Sequence, residues 1–498
     1  MKRRPININP FSVSPPVPPH PSIFSANVSD QPYPSIDALV HRALQHVDDW
    51  ESSWGAFDRH PSLGVDPNRL DAAFDEYLAR LEDNYPFHHP RYAGQMLKPP
   101  HPVAIAAYVA AQRINPNNHA LDGGPPTSQM EQEVVADLAA MLGLPDRTLG
   151  HLTGGGTVAN LEALWVAREL HPDQGLAVSD DAHYTHGRMS EVLNLNVTTI
   201  PTDARGRMDL DALDSVIQNE DIGTVVLTAA TTGLGSVDPI ADAVSLCDTH
   251  DVRVHVDAAY GGFFRLMTQE PAPDLEGFPS QHFAAIQHVD SVAIDPHKHG
   301  LQPYGCGCIL FRDPTVGRFY QHDSPYTYFT SDELHLGEIS LECSRAGAAA
   351  GALWCTLRAL PLAPDDGLGP ILTACLRAAR TWATQIEASD SLTLLAPPET
   401  DIVAYFPTPD TPTLSAVDDA SQQLFEAAMN DPDEPIFTSL YRLPADALTT
   451  LHPTLDADQE EAAVLRSVLM KPEHETYTDL LVNQLATLAR DQHPTKTN

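Results

Sequence analysis

Lysine is scarce in this chain, which has only five lysines among 498 residues. Lysine and arginine together number 29 against 67 aspartates and glutamates, so the formal net charge is −38. Nucleic acids and anionic membrane surfaces are bound by clustered cations, and this composition excludes both as partners. Two explanations of the acidity stand equal: a salt-rich cytoplasm that screens the repulsion, and an ordinary acidic enzyme.

Cysteine and long apolar runs are also lacking. The six cysteines form no C-x-x-C pair, and Cys306 and Cys308 are two apart on a predicted strand. This spacing excludes a cysteine zinc site and a disulfide framework, and it predicts a reduced, cytoplasmic protein. No apolar run is long enough for a membrane span, and no apolar signal core follows Met1–Arg4. We therefore expect a soluble protein.

The length of the chain predicts two or three structural units. Residues 1–34 hold nine prolines and are predicted to form an extended arm. Two amphipathic helices follow, and they need a partner surface, which a second subunit can supply. Their apolar positions are Ile36, Leu39, Val40, Ala43, Leu44 and Val47, then Leu70, Phe74, Tyr77, Leu78 and Leu81. We predict a dimer-forming unit over 1–95, a large domain over 96–370 and a small C-terminal α+β domain over 371–498.

Short apolar strands alternate with helices through the middle of the chain. The strands are predicted at Gly175–Val178, Val197–Ile200, Thr224–Leu227, Val252–Val256, Ser291–Ile294 and Cys308–Phe311. Helices are predicted at Val158–Leu170, Leu210–Ile217 and Ile240–Asp248, and Ser128 and Glu131 predict a capping box for a helix that ends at Gly143. The alternation predicts an α/β fold with a mostly parallel sheet, whose ligand lies beyond the carboxyl ends of the strands.

Four polar features lie at such positions. The glycines of Thr153–Thr157 precede a helix and suit an anion, whereas their structural alternative is a tight turn. Asp257 and His183 each follow a strand, where the alternatives are a helix cap and an exposed loop histidine. Lys298 follows the strand Ser291–Ile294, and partial desolvation there would make it a nucleophilic amine rather than a plain surface lysine.

One ligand accounts for all four features. It carries a phosphate for the glycines, a basic ring nitrogen for Asp257, an aldehyde for Lys298 and a ring face for His183. These are the parts of pyridoxal 5′-phosphate, whose protein partners include a lysine and an acid at the ring nitrogen.

Several segments resemble the group II pyridoxal-phosphate-dependent amino acid decarboxylases, which include the glutamate, tyrosine and aromatic amino acid enzymes. HVDAAYGGFF (His255–Phe264) and DPHKHG (Asp295–Gly300) carry the resemblance, which runs from about His88 to His474. The resemblance implies fold type I, with a mostly parallel seven-stranded sheet in the large domain, a smaller C-terminal domain and a homodimer that shares its active sites. It implies pyridoxal 5′-phosphate as the cofactor.

The resemblance also implies roles for individual residues. Lys298 is the Schiff-base lysine, Asp257 the partner of the ring nitrogen, and Arg466 lies near the substrate carboxylate. Tyr326, with Tyr328 second, matches a tyrosine that protonates Cα from the long loop Arg312–Ser340. Among the remaining cofactor-binding residues, Ala259 packs on one ring face and His183 on the other. The others are Gly155, Gly156, Thr157, Thr231, Asp295 and His297. At Gly155, Gly156 and Thr157 the family often has serine or alanine.

The predicted function is decarboxylation of an L-amino acid. Another pyridoxal enzyme of this fold, an aldehyde-releasing lyase or an aminotransferase, is the alternative, and a non-catalytic metal-binding module built on His297 and His299 is a third hypothesis. Ser344–Ala348 resembles the tyrosine branch, whereas His89–Tyr92 and Glu342–Arg345 resemble the glutamate branch. We favour an aromatic substrate such as tyrosine, with glutamate or aspartate next.

Overall fold

The computed structural model describes residues 33–273, 275–321 and 339–492. The predicted proline-rich arm lies almost wholly outside these residues. Tyr326 and Tyr328 also lie outside them, so the prediction of a proton donor in that loop stays a prediction.

Seven strands form the larger sheet, in the order β1-β7-β6-β5-β4-β2-β3. Strand β7 is antiparallel to both of its neighbours, and the other pairs are parallel. Every residue of β4 and of β6 is buried, because helices cover both faces of a sheet of this kind. The predicted mostly parallel sheet is therefore confirmed. The strands are β1 (Leu149–Thr153), β2 (Gly175–Ser179), β3 (Val197–Ile200), β4 (Ile222–Thr228), β5 (Arg253–Asp257), β6 (Ser291–Ile294) and β7 (Gly307–Phe311).

The helices of the first 360 residues include those that pack against this sheet. They are α1 (Ile36–Ser53), α2 (Pro67–Leu81), α3 (Pro102–Ile114), α4 (Pro125–Leu142), α5 (Gly156–Leu170), α6 (Thr185–Leu193), α7 (Leu210–Asn219), α8 (Ile240–His250), α9 (Ser280–Ala285) and α10 (Gly347–Ala359). Short 3-10 helices occur at Pro61–Leu63, Gly261–Thr268, Ile286–His288 and Pro314–Phe319.

The predicted capping box is wrong. Helix α4 begins three residues earlier than Ser128, at Pro125, and Gly124 precedes it without a side-chain cap. Proline suits the first turn because N–H groups there have no partner within the helix. Ser128 and Glu131 are instead residues of the helix itself, with buried side chains. An oxygen of Glu131 accepts the Leu152 N–H of β1 at 3.0 Å. The predicted end at Gly143 is confirmed, with φ +78° at that glycine.

A second sheet of four antiparallel strands lies towards the C-terminus, in the order β10-β11-β9-β8. Helices α11 and α12 pack against strands of this sheet, and α14 packs against both of these helices. Helix α11 begins before the predicted domain boundary, with Pro370 in its first turn, where proline is tolerated. The elements are β8 (Leu392–Leu394), β9 (Ile402–Pro407), β10 (Ser439–Pro444), β11 (Glu461–Val468), α11 (Leu368–Glu387), α12 (Leu414–Met429), α13 (Ala445–Leu451) and α14 (His474–Gln492).

Both predicted N-terminal helices are present, and they differ in what covers them. Helix α1 packs on α3, where Arg113 binds Asp48 at 2.8 Å and Glu51 at 2.9 Å. Helix α2 buries no residue. Its five large apolar side chains remain 45–56% exposed in the chain: Leu70, Phe74, Tyr77, Leu78 and Leu81. The apolar face of α2 is therefore available to another surface.

Candidate active site

A cavity of about 340 Å³ opens at the carboxyl ends of the parallel strands. Because such ends meet at one edge of the sheet, loops that are distant in the chain converge there. The cavity is lined by Gly154, Gly155, Gly156, Thr157, Val158, Asn160, His183, Tyr184, Thr185, Thr228, Ala230, Thr232, Asp257, Ala259, Tyr260, Asp295, His297 and Lys298. The sequence predicted catalytic, cofactor or substrate roles for eleven residues that the structure describes. Nine of these eleven line the cavity.

The glycine segment forms one wall, between β1 and α5. Gly155 has φ +144°, a conformation that favours glycine. A Cβ atom added at Gly156 would lie 2.8 Å from Asp295 Oδ2 and 3.2 Å from Ala259 Cβ. The absence of side chains thus leaves room beside the first turn of α5, whose N–H groups and dipole attract an anion. The segment fits a phosphate group.

Asp257, the last residue of β5, also lines the cavity. Its Oδ2 lies 3.0 Å from Nε2 of His186, and its Oδ1 accepts the Ala259 N–H at 3.1 Å. Burial raises the pKa of Asp257, but the hydrogen bond and charge of His186, the charge of Lys298 and the Ala259 N–H outweigh it and hold the pKa below its ordinary value. A buried, ionised carboxylate of this kind fits the protonated ring nitrogen of the cofactor.

His183 lies in the loop between β2 and α6. Its Nδ1 is 2.7 Å from Oγ1 of Thr185, which fixes the orientation of the ring. Burial lowers the pKa of His183, Asp257 opposes the change and Lys298 adds to it. The imidazole is therefore neutral at neutral pH and can lie against an aromatic ring. Ala259 contributes its small side chain to the same cavity.

Lys298 follows β6 through the turn that begins at Asp295. Its Nζ lies 3.3 Å from Asp295 Oδ2, and its side chain is 21% exposed. His297 donates from Nδ1 to the Cys306 carbonyl at 2.9 Å, and its Nε2 is 3.5 Å from Asp295 Oδ2. The amine is thus held at the cavity wall by a carboxylate and remains accessible to a ligand.

Thr231 and Arg466 are not among the cavity-lining residues. Thr231 is buried, and its Oγ1 accepts the Ser236 N–H at 3.3 Å, whereas its neighbours Ala230 and Thr232 line the cavity. Arg466 is buried in β11 and donates from Nη1 to Ser439 Oγ at 3.1 Å.

The environment of Arg466 bears on a ligand. Its Nε and Nη2 are buried and have no hydrogen-bond partner within the described residues. Burial lowers the pKa of Arg466, while Tyr260, Tyr441 and Asp401 oppose the change. Tyr260, whose charge acts on Arg466, is itself a residue of the cavity lining.

Sequence reasoning missed several residues of the site. His186 contacts Asp257, and Tyr260, Tyr184, Thr232 and Asn160 line the cavity. Tyr260 lies within HVDAAYGGFF, and His186 ends the segment SDDAHYTH, so each was next to a recognised signal. No local pattern distinguishes such neighbours, because which side chain points into a cavity depends on packing.

Metal clusters and membrane-spanning helices are both absent from residues 33–273, 275–321 and 339–492. In these ranges no three His, Cys, Asp or Glu side chains are grouped so that they could hold a metal ion. His299, which the metal hypothesis used, instead lies with Nε2 3.2 Å from Asp401 Oδ2. Within the same ranges no helix combines the length and apolar character needed to cross a membrane.

Comparison with curated proteins identifies relatives. A probable L-tyrosine/L-aspartate decarboxylase of Methanothermobacter thermautotrophicus is 30% identical over 317 residues, which cover 63% of this chain and 82% of that relative. An L-tyrosine decarboxylase of Enterococcus faecium is 28% identical over 457 residues, covering 71% of this chain and 74% of that relative.

Solved structures share the fold. The crystal structure of mouse CSAD matches with a TM-score of 0.70 at 22% identity, over 92% of this chain and 99% of that chain. Residues 85–406, more than half of the chain, match the pyridoxal-dependent decarboxylase conserved domain. The chain therefore belongs to the pyridoxal-dependent decarboxylase family, has the fold type I architecture and is an amino acid decarboxylase whose cofactor is pyridoxal 5′-phosphate.

Proposed function

We propose that the protein decarboxylates L-tyrosine or a related aromatic L-amino acid to the amine and CO2, with an acidic amino acid such as L-aspartate as the next candidate. The observation that carries this proposal is that Thr157, Asp257 and Lys298, which are far apart in the chain, line the same cavity. These groups have the chemistry that a phosphate, a ring nitrogen and an aldehyde require.

Each residue has a defined task in this proposal. The bound cofactor supplies the electron sink for cleavage of the Cα–carboxylate bond. Lys298 is its attachment point, and Asp295, 3.3 Å from Nζ, holds the lysine side chain at the cavity wall while substrate occupies the site. Asp257 holds a proton at the ring nitrogen, and the first-turn N–H groups at Gly156 bind the phosphate.

Arg466 is the proposed partner of the substrate carboxylate. Its Nε and Nη2 lack partners in the described residues, and a guanidinium edge with two free N–H groups suits a carboxylate. Tyr326 is the proposed proton donor to Cα, on the strength of the sequence resemblance alone. Thr231 keeps a supporting role in this proposal, since it orders the loop that carries Ala230 and Thr232.

The preference for an aromatic substrate is supported by the names of relatives. One is a probable L-tyrosine/L-aspartate decarboxylase and another an L-tyrosine decarboxylase. These names support both the aromatic preference and aspartate as the acidic alternative in this proposal.

We further propose that the enzyme is a cytoplasmic homodimer. The exposed apolar face of α2 supports a second subunit as its cover, and the free state of all six cysteines supports a reducing compartment. The proposed units are residues 1–95, 96–370 and 371–498. Because the second boundary falls inside α11, we propose that the connection itself is the preceding stretch, residues 361–367.

A substrate screen tests the proposed function. The holoenzyme is incubated with each common L-amino acid and with L-2,4-diaminobutyrate, and CO2 and amine are measured, with the Lys298→Ala variant as the blank. We expect the highest kcat/KM for L-tyrosine or another aromatic amino acid. A higher value for an acidic or a diamino substrate would contradict the aromatic assignment, and aldehyde or keto acid in place of amine would contradict decarboxylation to the amine.

A further inference from the structure

His186 makes the side-chain contact to Asp257 that sequence reasoning did not anticipate. It lies in the first turn of α6, 71 positions from Asp257 in the chain, and it is 1% exposed. Its Nε2 is 3.0 Å from Asp257 Oδ2. This distance is that of a hydrogen bond between two buried groups.

The direction of this hydrogen bond follows from its partners. An ionised carboxylate only accepts, so Nε2 of His186 carries the proton and donates it. The other ring nitrogen, Nδ1, is buried and has no hydrogen-bond partner among the residues that the structure describes. The hydrogen bonding of this buried imidazole is thus directed to Asp257.

The carboxylate is arranged to serve a third partner. Oδ2 of Asp257 takes the His186 donor and Oδ1 takes the Ala259 N–H, so each oxygen keeps lone-pair capacity. Asp257 also lines the cavity. A ligand nitrogen in the cavity can therefore reach a carboxylate that is already fixed in orientation by two protein donors.

We propose that His186 is a positioning residue, which keeps the shared proton on the ring nitrogen of the cofactor by donating a hydrogen bond to Asp257. This inference rests on the proposed role of Asp257. A proton between a carboxylate and a pyridine nitrogen resides on the more basic group, and a donor to the carboxylate makes that carboxylate less basic. The protonated nitrogen is the form that withdraws electrons from the reacting bond.

A pair of amide substitutions tests the inference. The glutamine side chain in His186→Gln reaches the place of Nε2 and can donate to Asp257, whereas the shorter side chain in His186→Asn does not reach it. The holoenzymes are loaded with cofactor labelled with ¹⁵N at the ring nitrogen, and solid-state NMR reports whether that nitrogen is protonated. Steady-state kinetics and the thermal midpoint are measured alongside.

We expect His186→Gln to keep the wild-type nitrogen shift and most of kcat. In His186→Asn the nitrogen shift should move towards the unprotonated form, and kcat should fall about 10- to 100-fold with little change in KM, as for loss of a hydrogen bond to a charged group. His474→Asn is the matched control, since His474 is also buried but bonds to the Pro90 carbonyl. It should lower the thermal midpoint without moving the nitrogen shift.

The outcomes separate this inference from the proposed function. A wild-type nitrogen shift in His186→Asn, alongside an altered shift and low kcat in Asp257→Asn, would overturn the role of His186 and leave that of Asp257 standing. Wild-type behaviour of Asp257→Asn would overturn both. Equal defects in the Gln and Asn variants, with equal losses of thermal midpoint, would show a packing role and overturn the inference.

Discussion

The Tyr260 hydroxyl donates a 2.8 Å hydrogen bond to Oδ1 of Asp401, and both side chains are buried. Tyr260 lines the cavity after β5, whereas Asp401 directly precedes β9 of the second sheet. Burial raises the pKa of Asp401, but His299, Tyr260 and Lys98 outweigh it and lower the pKa. The four-stranded sheet therefore supplies a carboxylate that holds one wall of the active site.

Two residues next to Asp401 extend this contact to another loop of the site. Glu399 Oε2 accepts the Val237 N–H at 2.8 Å, and Thr400 Oγ1 donates to the Gly235 carbonyl at 2.9 Å. Gly235 and Val237 belong to the loop that follows β4. The shape of the cavity thus depends on how the two sheets are joined.

Lys298 should be the residue that carries the cofactor. The other lysines in the described part of the chain donate to backbone carbonyls, Lys98 to Met470 and Lys471 to Tyr92. Reduction of the holoenzyme with borohydride, followed by peptide mass spectrometry, should find the cofactor on Lys298 alone. A labelled peptide containing Lys98 or Lys471 would refute the assignment.

Gly156→Ala should weaken cofactor binding. The added Cβ would lie 2.8 Å from Asp295 Oδ2 and 3.2 Å from Ala259 Cβ, so the phosphate wall would have to shift. Overpacking of about 1–3 kcal/mol corresponds to a dissociation constant about 5- to 150-fold above wild type, measured by fluorescence titration of apoenzyme. Gly187→Ala is the matched control, because its Cβ would meet nothing within 4 Å. Equal affinities in the two variants would contradict the prediction.

Acid should destabilise the protein through two buried histidines. Burial lowers the pKa of His255 and that of His474 to about 3. In the unfolded chain these imidazoles have a pKa of about 6.5, so below that pH they bind protons that the folded protein does not bind. The free energy of unfolding therefore falls as the pH drops below about 6.5, and it does not change well above that pH. Between pH about 7.5 and pH about 5.5, each histidine should lower the free energy of unfolding by about 1.4 kcal/mol.

Urea unfolding across this pH range checks the acid prediction. His255→Gln and His474→Gln should each reduce the change in the free energy of unfolding across this pH range by about 1.4 kcal/mol. This reduction should be seen whether or not the variant is less stable than wild type at pH 8. A pH dependence that is the same in both variants as in the wild type would exclude these histidines as its source.

The apolar face of α2 should be buried in the dimer. Its residues Phe74 and Leu78 are 56% and 45% exposed in the single chain. The Phe74→Asp/Leu78→Asp double variant should sediment as a monomer or aggregate and lose activity, and deletion of residues 1–82 should do the same. Asp71→Ser, on an exposed position of the same helix, should remain a dimer. An active monomer after the deletion would count against the homodimer.

Tyr326, which lies outside the described residues, should control the product if it protonates Cα. Tyr326→Phe should keep cofactor and substrate binding but lose most amine formation, with aldehyde and the amino form of the cofactor appearing instead. Tyr328→Phe is the comparison variant. If product analysis finds the same amine-to-aldehyde ratio in both variants as in the wild type, neither tyrosine is the proton donor.

Much of the fold followed from local pattern. The predicted bounds of Val197–Ile200 and Ser291–Ile294 match β3 and β6, because short runs rich in β-branched residues between polar turns favour a strand. Strand β1 was missed, since LGHLT has a glycine and a histidine at its centre. It becomes a strand by pairing with β7, which is more than 150 residues away in the chain.

The sequence by itself determined that Asp257 and Lys298 stand at strand ends, because each ends or follows a strand that hydrophobic periodicity identifies, and that Thr157 lies at the start of a helix. Only the tertiary structure decided which groups meet. It directs His186 to Asp257, bonds Thr231 to the Ser236 N–H and joins Tyr260 to Asp401. Hydrophobic periodicity is a local property of the sequence. The contacts of a buried polar side chain are instead set by close packing between segments that are distant in the chain.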